Sequence, residues 1–140
     1  MKHLGKQILI SGASMGLGAG IASQVVKEGA SVMICSRNND ELSAFAAKLK
    51  SMAHKDARIC YMCCDISKES DVDALKERTL ELLPDLHAVV NNAGVYGPFG
   101  AIEENDWEAW KQAIEINLVG TVYFTRSFVP HMKARSKGKI

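Results

Sequence analysis

Four glycines fall within nine positions of ISGASMGLGAG (residues 10–20), directly after the apolar run Ile8-Leu9-Ile10. Glycine costs roughly 0.5–1 kcal/mol against alanine inside a helix. A cluster of them at a strand-to-helix junction therefore asks what must approach the backbone closely. A helix N-terminus offers free N–H groups and the positive end of a dipole, which suits an anion such as a pyrophosphate. Ser11, Gly12, Ser14, Gly16, Leu17 and Gly18 are the candidates for holding it. The spacing Gly12-x-x-x-Gly16-x-Gly18 is not G-x-G-x-x-G, and the Lys-Ser/Thr pair of a P-loop is absent. On spacing alone, a tight turn whose glycines serve only packing competes with a dinucleotide site.

The end of the second apolar run narrows the choice. An acidic residue there would bind the ribose hydroxyls of NAD, whereas an Arg can pair with the 2′-phosphate of NADP. Ser36, Arg37 and Asn38 follow SVMIC, which favours NADP (NADPH) and leaves NAD the less favoured cofactor. Asp40 and Glu41 compete for the acidic role but fit better in the first turn of the next helix. Read without the glycines, Arg37 would be a solvated surface charge.

No metal centre is expected. Cys60 and Cys63 form a C-x-x-C, but they lie in a β-rich run where alternate side chains point to opposite faces, and the four histidines are scattered. Buried strand cysteines in a reducing compartment are the preferred reading.

These residues need a scaffold, and the pattern supplies one. Strands are predicted at 7–11, 31–35, 57–64 and 86–90, with helices between them. The first helix runs over about 16–28, the second carries the stripe Leu42, Phe45, Ala46, Leu49, and the third carries Val72, Leu75, Thr79, Leu82. A glycine-rich loop, NNAGVYGPFG, precedes a long helix over about 105–134 in which Pro130 should kink or break the last turns. KGKI resembles a turn feeding a fifth strand. Such alternation specifies an α/β fold with a parallel sheet in a single domain over 1–140.

The chain has 140 residues, 47% of them hydrophobic and 24% charged, with a formal net charge of +1. That balance gives no electrostatic footprint for nucleic acid or anionic membrane. No N-terminal apolar stretch suggests a signal peptide or membrane span, so a cytoplasmic location is expected.

Taken together, the residues resemble the short-chain dehydrogenase/reductase family. Its T-G-x-x-x-G-x-G is matched by SGASMGLG with Ser11 for Thr, and its N-N-A-G by Asn91-Asn92-Ala93-Gly94. The resemblance implies a Rossmann-type doubly wound parallel sheet, cut at the start of its fifth strand. It puts Asp65 and Ile66 at the adenine, Asn91, Ala93 and Gly94 along the cofactor, and Asn117 as the Asn of a catalytic Asn-Ser-Tyr-Lys tetrad. One departure is Met15, where NADP-using members often carry Arg or Lys. Each matched residue also has a plain structural role open to it. Asp65 could cap the following helix, Asn91 and Asn92 could form a turn, and Asn117 could be an exposed helix residue.

The family's Tyr and Lys belong to a Y-x-x-x-K, and none occurs within residues 1–140. The resemblance therefore covers the cofactor-binding half of an NADPH-dependent oxidoreductase acting on a small carbonyl or alcohol. The 140 residues alone are expected to be inactive. Homodimers or homotetramers are common in the family, often through the long helix. Here that helix carries Ile114, Leu118, Val122, Phe124 and Val129, more apolar surface than four strands can cover. A noncatalytic NADP-binding or interaction protein is the competing function. An S-adenosylmethionine methyltransferase fits less well, because it expects an acidic residue where Arg37 stands.

Overall fold

The computed structural model of the chain describes residues 1–140. Strands β1 (Gln7–Ser11), β2 (Ser31–Ser36), β3 (Ile59–Cys63) and β4 (Ala88–Val90) form one parallel sheet in the order β3-β2-β1-β4. Lys139 bridges Ala88 on the free side of β4, in the parallel sense expected for the turn at KGKI. No helix is long and apolar enough to cross a membrane.

Alternation along the strands sorts the core into two layers. Ile8, Ile10, Val32 and Ile34 face one side, where Ala22 and Val26 of α1 (Gly16–Lys27) and Leu42, Ala46 and Leu49 of α2 (Asn39–Met52) cover them. Leu9, Met33, Cys35 and Val89 face the other side, under α3 (Glu69–Leu82) and α5 (Thr121–Ala134). Phe124 and Phe128 of α5 are fully buried there, with ring centroids 5.3 Å apart. Each contributes on the order of 2–3 kcal/mol by burial. Phe124 therefore belongs to the core rather than to the uncovered face, which consists of Ile114, Leu118, Val119 and Val122.

Helix ends follow local chemistry. Gly29, at φ +94°, closes α1, with its N–H on the Val26 carbonyl and the Ala30 N–H on the Val25 carbonyl, a Schellman pair. Asn38 caps α2, and Asp106 caps α4 (Trp107–Ile114).

The long helix differs from its sequence expectation in two respects. A π-helical segment, Glu115–Gly120, joins α4 to α5. The helix also runs through Pro130 to Ala134 without ending, because Phe128 and Met132 on either side are anchored in the core. The cysteines need a correction as well. Cys35 and Cys64 are buried, but Cys60 is half-buried and Cys63 is exposed, because β3 is an edge strand.

Candidate functional site

A cleft of about 830 Å³ opens over the carboxyl ends of the strands. It lies where the order reverses, since β2 pairs with one side of β1 and β4 with the other. Open α/β sheets bind ligands at such switch points.

The glycines divide between the two explanations that spacing left open. A Cβ on Gly12, whose φ is +63°, would lie 2.8 Å from the Ala93 Cα. One on Gly18 would lie 2.4 Å from the Gly12 carbonyl oxygen and 2.5 Å from Asn92 Nδ2. These two glycines let backbone meet backbone. Gly16 is different: its φ is +57° and a Cβ there would meet nothing within 4 Å. It borders the cleft, and Met15 at the N-cap of α1 gives no side-chain acceptor, so the first-turn N–H groups stay available. Ser14 lines the same wall. Leu17 points outward, 74% exposed, and Gly18 sits beneath the turn, so neither lines the cleft.

Ser11 lies under the floor. Its hydroxyl donates to the Val90 carbonyl at 3.3 Å and accepts the N–H groups of Asn92 and Ala93, each at 3.1 Å. Asn92, matched within N-N-A-G but not assigned to the cofactor, closes the clasp by donating to the carbonyls of Ser11 (3.1 Å) and Gly12 (2.9 Å). It joins the glycine turn to the loop after β4, which carries Asn91, Ala93 and Gly94 into the cleft wall. Asn91 donates to Thr125 Oγ1 of α5 at 2.9 Å.

Ser36, Arg37 and Asn38 line the opposite end of the cleft. The Ser36 hydroxyl turns to the Asn38 carbonyl, and the Asn38 side chain accepts from the N–H groups of Asp40 and Glu41. The α2 N-terminus is thereby occupied by its own cap. Arg37 takes part in none of the chain's ion pairs. Asp40 and Glu41 do occupy the first turn of α2, but Glu41 also borders the cleft, which its position in the sequence did not reveal.

Asp65 and Ile66 form the wall after β3. Asp65 does not cap α3, where Lys68 holds the N-cap position. Its Oδ1 instead accepts from the Ser67 N–H (3.0 Å) and Oγ (2.7 Å). Desolvation pushes the Asp65 pKa up, but the Ser67 hydrogen bonds and the charges of Lys68 and Arg37 outweigh it and hold the carboxyl below its usual range. Cys35 and Cys64 lie side by side in the floor; the hydrogen bond between them and burial raise the Cys35 thiol well above normal.

Asn117 is exposed on the π-helical segment and faces the cleft. It accepts the Val95 N–H at 2.8 Å and donates to the Val95 carbonyl at 2.6 Å, satisfying both groups of one residue. Gly94 leaves room for it: a Cβ there would lie 3.1 Å from Asn117 Oδ1. The segment thus fastens the post-β4 loop against the cleft. Val95 and Tyr96 line the cleft beside it.

Comparison with known proteins agrees with this geometry. The family described as short chain dehydrogenase matches residues 6–140. L-fucose dehydrogenase of Oryctolagus cuniculus is 34% identical over 139 residues, 99% of this chain and 46% of that protein. A short-chain type dehydrogenase/reductase from Mycobacterium ulcerans superposes with a TM-score of 0.93 at 30% identity, over 99% of this chain and 50% of that one. L-Sorbose reductase from Gluconobacter frateurii, complexed with NADPH and L-sorbose, gives a TM-score of 0.89 at 33% identity, over 99% and 51%. The chain spans about half the length of the relatives it matches.

Proposed function

The chain belongs to the short-chain dehydrogenase family, and from that premise we propose that it is the NADP-binding half of an oxidoreductase acting on a small carbonyl or alcohol. The observation that carries the reading is the open cradle at Gly16, where a left-handed backbone, an uncapped helix N-terminus and a void in place of a side chain meet in the cleft. Free N–H groups at an uncapped helix N-terminus beside an open cleft suit a pyrophosphate.

The residues present fit a nicotinamide dinucleotide. The α1 amides would hold the pyrophosphate with Ser14 beside them, Asp65 and Ile66 would border the adenine, and Asn91, Ala93 and Gly94 would follow the chain of the cofactor toward Asn117. When bound, the nicotinamide supplies or accepts a hydride. Solved relatives include complexes with 5-hydroxy-NADP, NADP and NADPH; within this chain the choice between NADP and NAD rests on Arg37. Its guanidinium, which makes no direct ion pair, suits a 2′-phosphate, and the capped α2 terminus leaves that task to the side chain. Asn117 holds Val95 and with it the loop that would flank the reacting carbon. Hydride transfer also needs a proton donor, which the resemblance assigns to a Tyr-x-x-x-Lys outside residues 1–140.

We place the protein in the cytoplasm, where four free cysteines persist, and assign the exposed face of Ile114, Leu118, Val119 and Val122 to self-association as a dimer or tetramer. Titration of the chain with NADPH and NADH, followed by cofactor fluorescence, tests the cofactor reading. Saturable binding with NADPH the tighter ligand is expected; no binding of either would overturn it.

A further inference from the structure

The cleft end that carries Arg37 also carries a carboxylate. Glu41 Oε2 accepts from Ser14 Oγ at 3.5 Å, a long hydrogen bond that spans from the first turn of α2 to the glycine turn. Both residues border the same cleft as Arg37 and Asn38. The Asn38 cap fixes the Glu41 backbone by accepting its N–H at 3.2 Å, so the side chain leaves a held point rather than a fraying end. Glu41 forms no ion pair with any Lys, Arg or His, so its carboxylate is not tied up by a direct cationic partner.

We propose that Glu41, held toward the cleft by Ser14, is a second cofactor-discriminating residue that opposes Arg37. The inference rests on the nicotinamide-dinucleotide reading above. A carboxylate accepts hydrogen bonds and cannot donate them, so it suits the hydroxyls of an unphosphorylated ribose. Toward a 2′-phosphate, which carries up to two negative charges, the same carboxylate is repulsive. Arg37 draws the phosphate in and Glu41 limits the gain, so the site holds NADPH only moderately better than NADH.

The structure predicts opposite effects for the two residues. Glu41→Gln keeps length and hydrogen-bonding capacity while removing the charge. Screened interaction of unit charges across a solvent-lined cleft is worth about three- to tenfold in an equilibrium constant. Glu41→Gln should therefore raise the ratio of NADPH to NADH affinity by about that factor, and Glu41→Lys should raise it further. Arg37→Asp should reverse it.

The test is calorimetric titration of the 140-residue chain and these variants with NADPH, NADH, adenosine 2′,5′-bisphosphate and AMP. The last two probes differ only in the 2′-phosphate, so they isolate this end of the cleft from the nicotinamide end. Circular dichroism checks that each variant keeps its helices. An increased preference for the 2′-phosphorylated ligand in Glu41→Gln supports the proposal. An unchanged ratio in both Glu41 variants, with Arg37→Asp still reversing it, overturns the role of Glu41 and leaves the NADP reading standing. Failure of the unaltered chain to bind any of the four ligands overturns both.

Discussion

Two glycines in α1, two positions apart, should answer the same substitution with opposite signs. Gly20 is exposed, and a Cβ there would meet nothing within 4 Å. Gly20→Ala should stabilise the chain by about 0.4–1 kcal/mol, because alanine restricts the unfolded chain and favours helix. Gly18 would gain the same helical preference but would place its Cβ 2.4 Å from the Gly12 carbonyl oxygen and 2.5 Å from Asn92 Nδ2. Neither neighbour can give easily. One is backbone, and the other is the amide already donating to that carbonyl at 2.9 Å. Overpacking of this kind costs about 1–3 kcal/mol, and loss of the buried hydrogen bond adds about 1 kcal/mol. Offset by about 1 kcal/mol of helix propensity, Gly18→Ala should destabilise by about 1–3 kcal/mol. For a chain of this size that lowers the melting temperature by roughly 4 °C per kcal/mol. Urea denaturation of the two variants beside the unaltered chain measures both signs. A Gly18→Ala chain as stable as Gly20→Ala would refute the close approach between α1 and the loop after β4.

Gly16→Val should abolish dinucleotide binding while the far-ultraviolet dichroism persists, because the new side chain fills the cradle rather than the core; undiminished binding by calorimetry would remove the cradle from the site. A β-branched residue at φ +57° adds backbone strain of about 1–3 kcal/mol, so the melting temperature should fall modestly. Asn117→Ala leaves both Val95 backbone groups without their partner, and hydrogen exchange at the Val95 amide should accelerate about tenfold or more. Asp65 has a folded pKa below its unfolded value, so its contribution to stability is present above the ordinary carboxylate pKa and is lost as pH falls through the folded one. Asp65→Asn should flatten that acid limb in denaturation midpoints measured across pH, and an unchanged limb would show that the Ser67 contacts are not maintained in solution. The 140-residue chain should oxidise no measurable NADPH with any carbonyl, since it holds no Y-x-x-x-K; turnover followed by cofactor absorbance would refute this.

The sequence determined the layers and the order of the elements. Continuous apolar runs such as Ile8-Leu9-Ile10, buried on both faces, and helical stripes such as Leu42-Ala46-Leu49 record burial directly, because each side chain's face follows from backbone geometry alone. It also pointed to Gly16, Arg37, Asp65 and Asn91, which stand just past the ends of parallel strands and line the cleft, although Ser11, Leu17 and Gly18 do not. Only the tertiary structure decided what each of them does there. That Gly18 serves packing while Gly16 borders a void depends on where Asn92, some seventy residues away, places its amide. That Asn117 clasps the Val95 backbone depends on how the loop after β4 meets the π-helical segment, and no local propensity encodes it. The exposure of Cys63 follows from β3 lying at the sheet's edge, and the reach of Glu41 into the cleft follows from how α2 docks beside the glycine turn. Local pattern fixes the direction of a side chain relative to its own element. What that side chain meets is fixed by contacts between elements distant in the chain, and single-sequence periodicity carries no record of them.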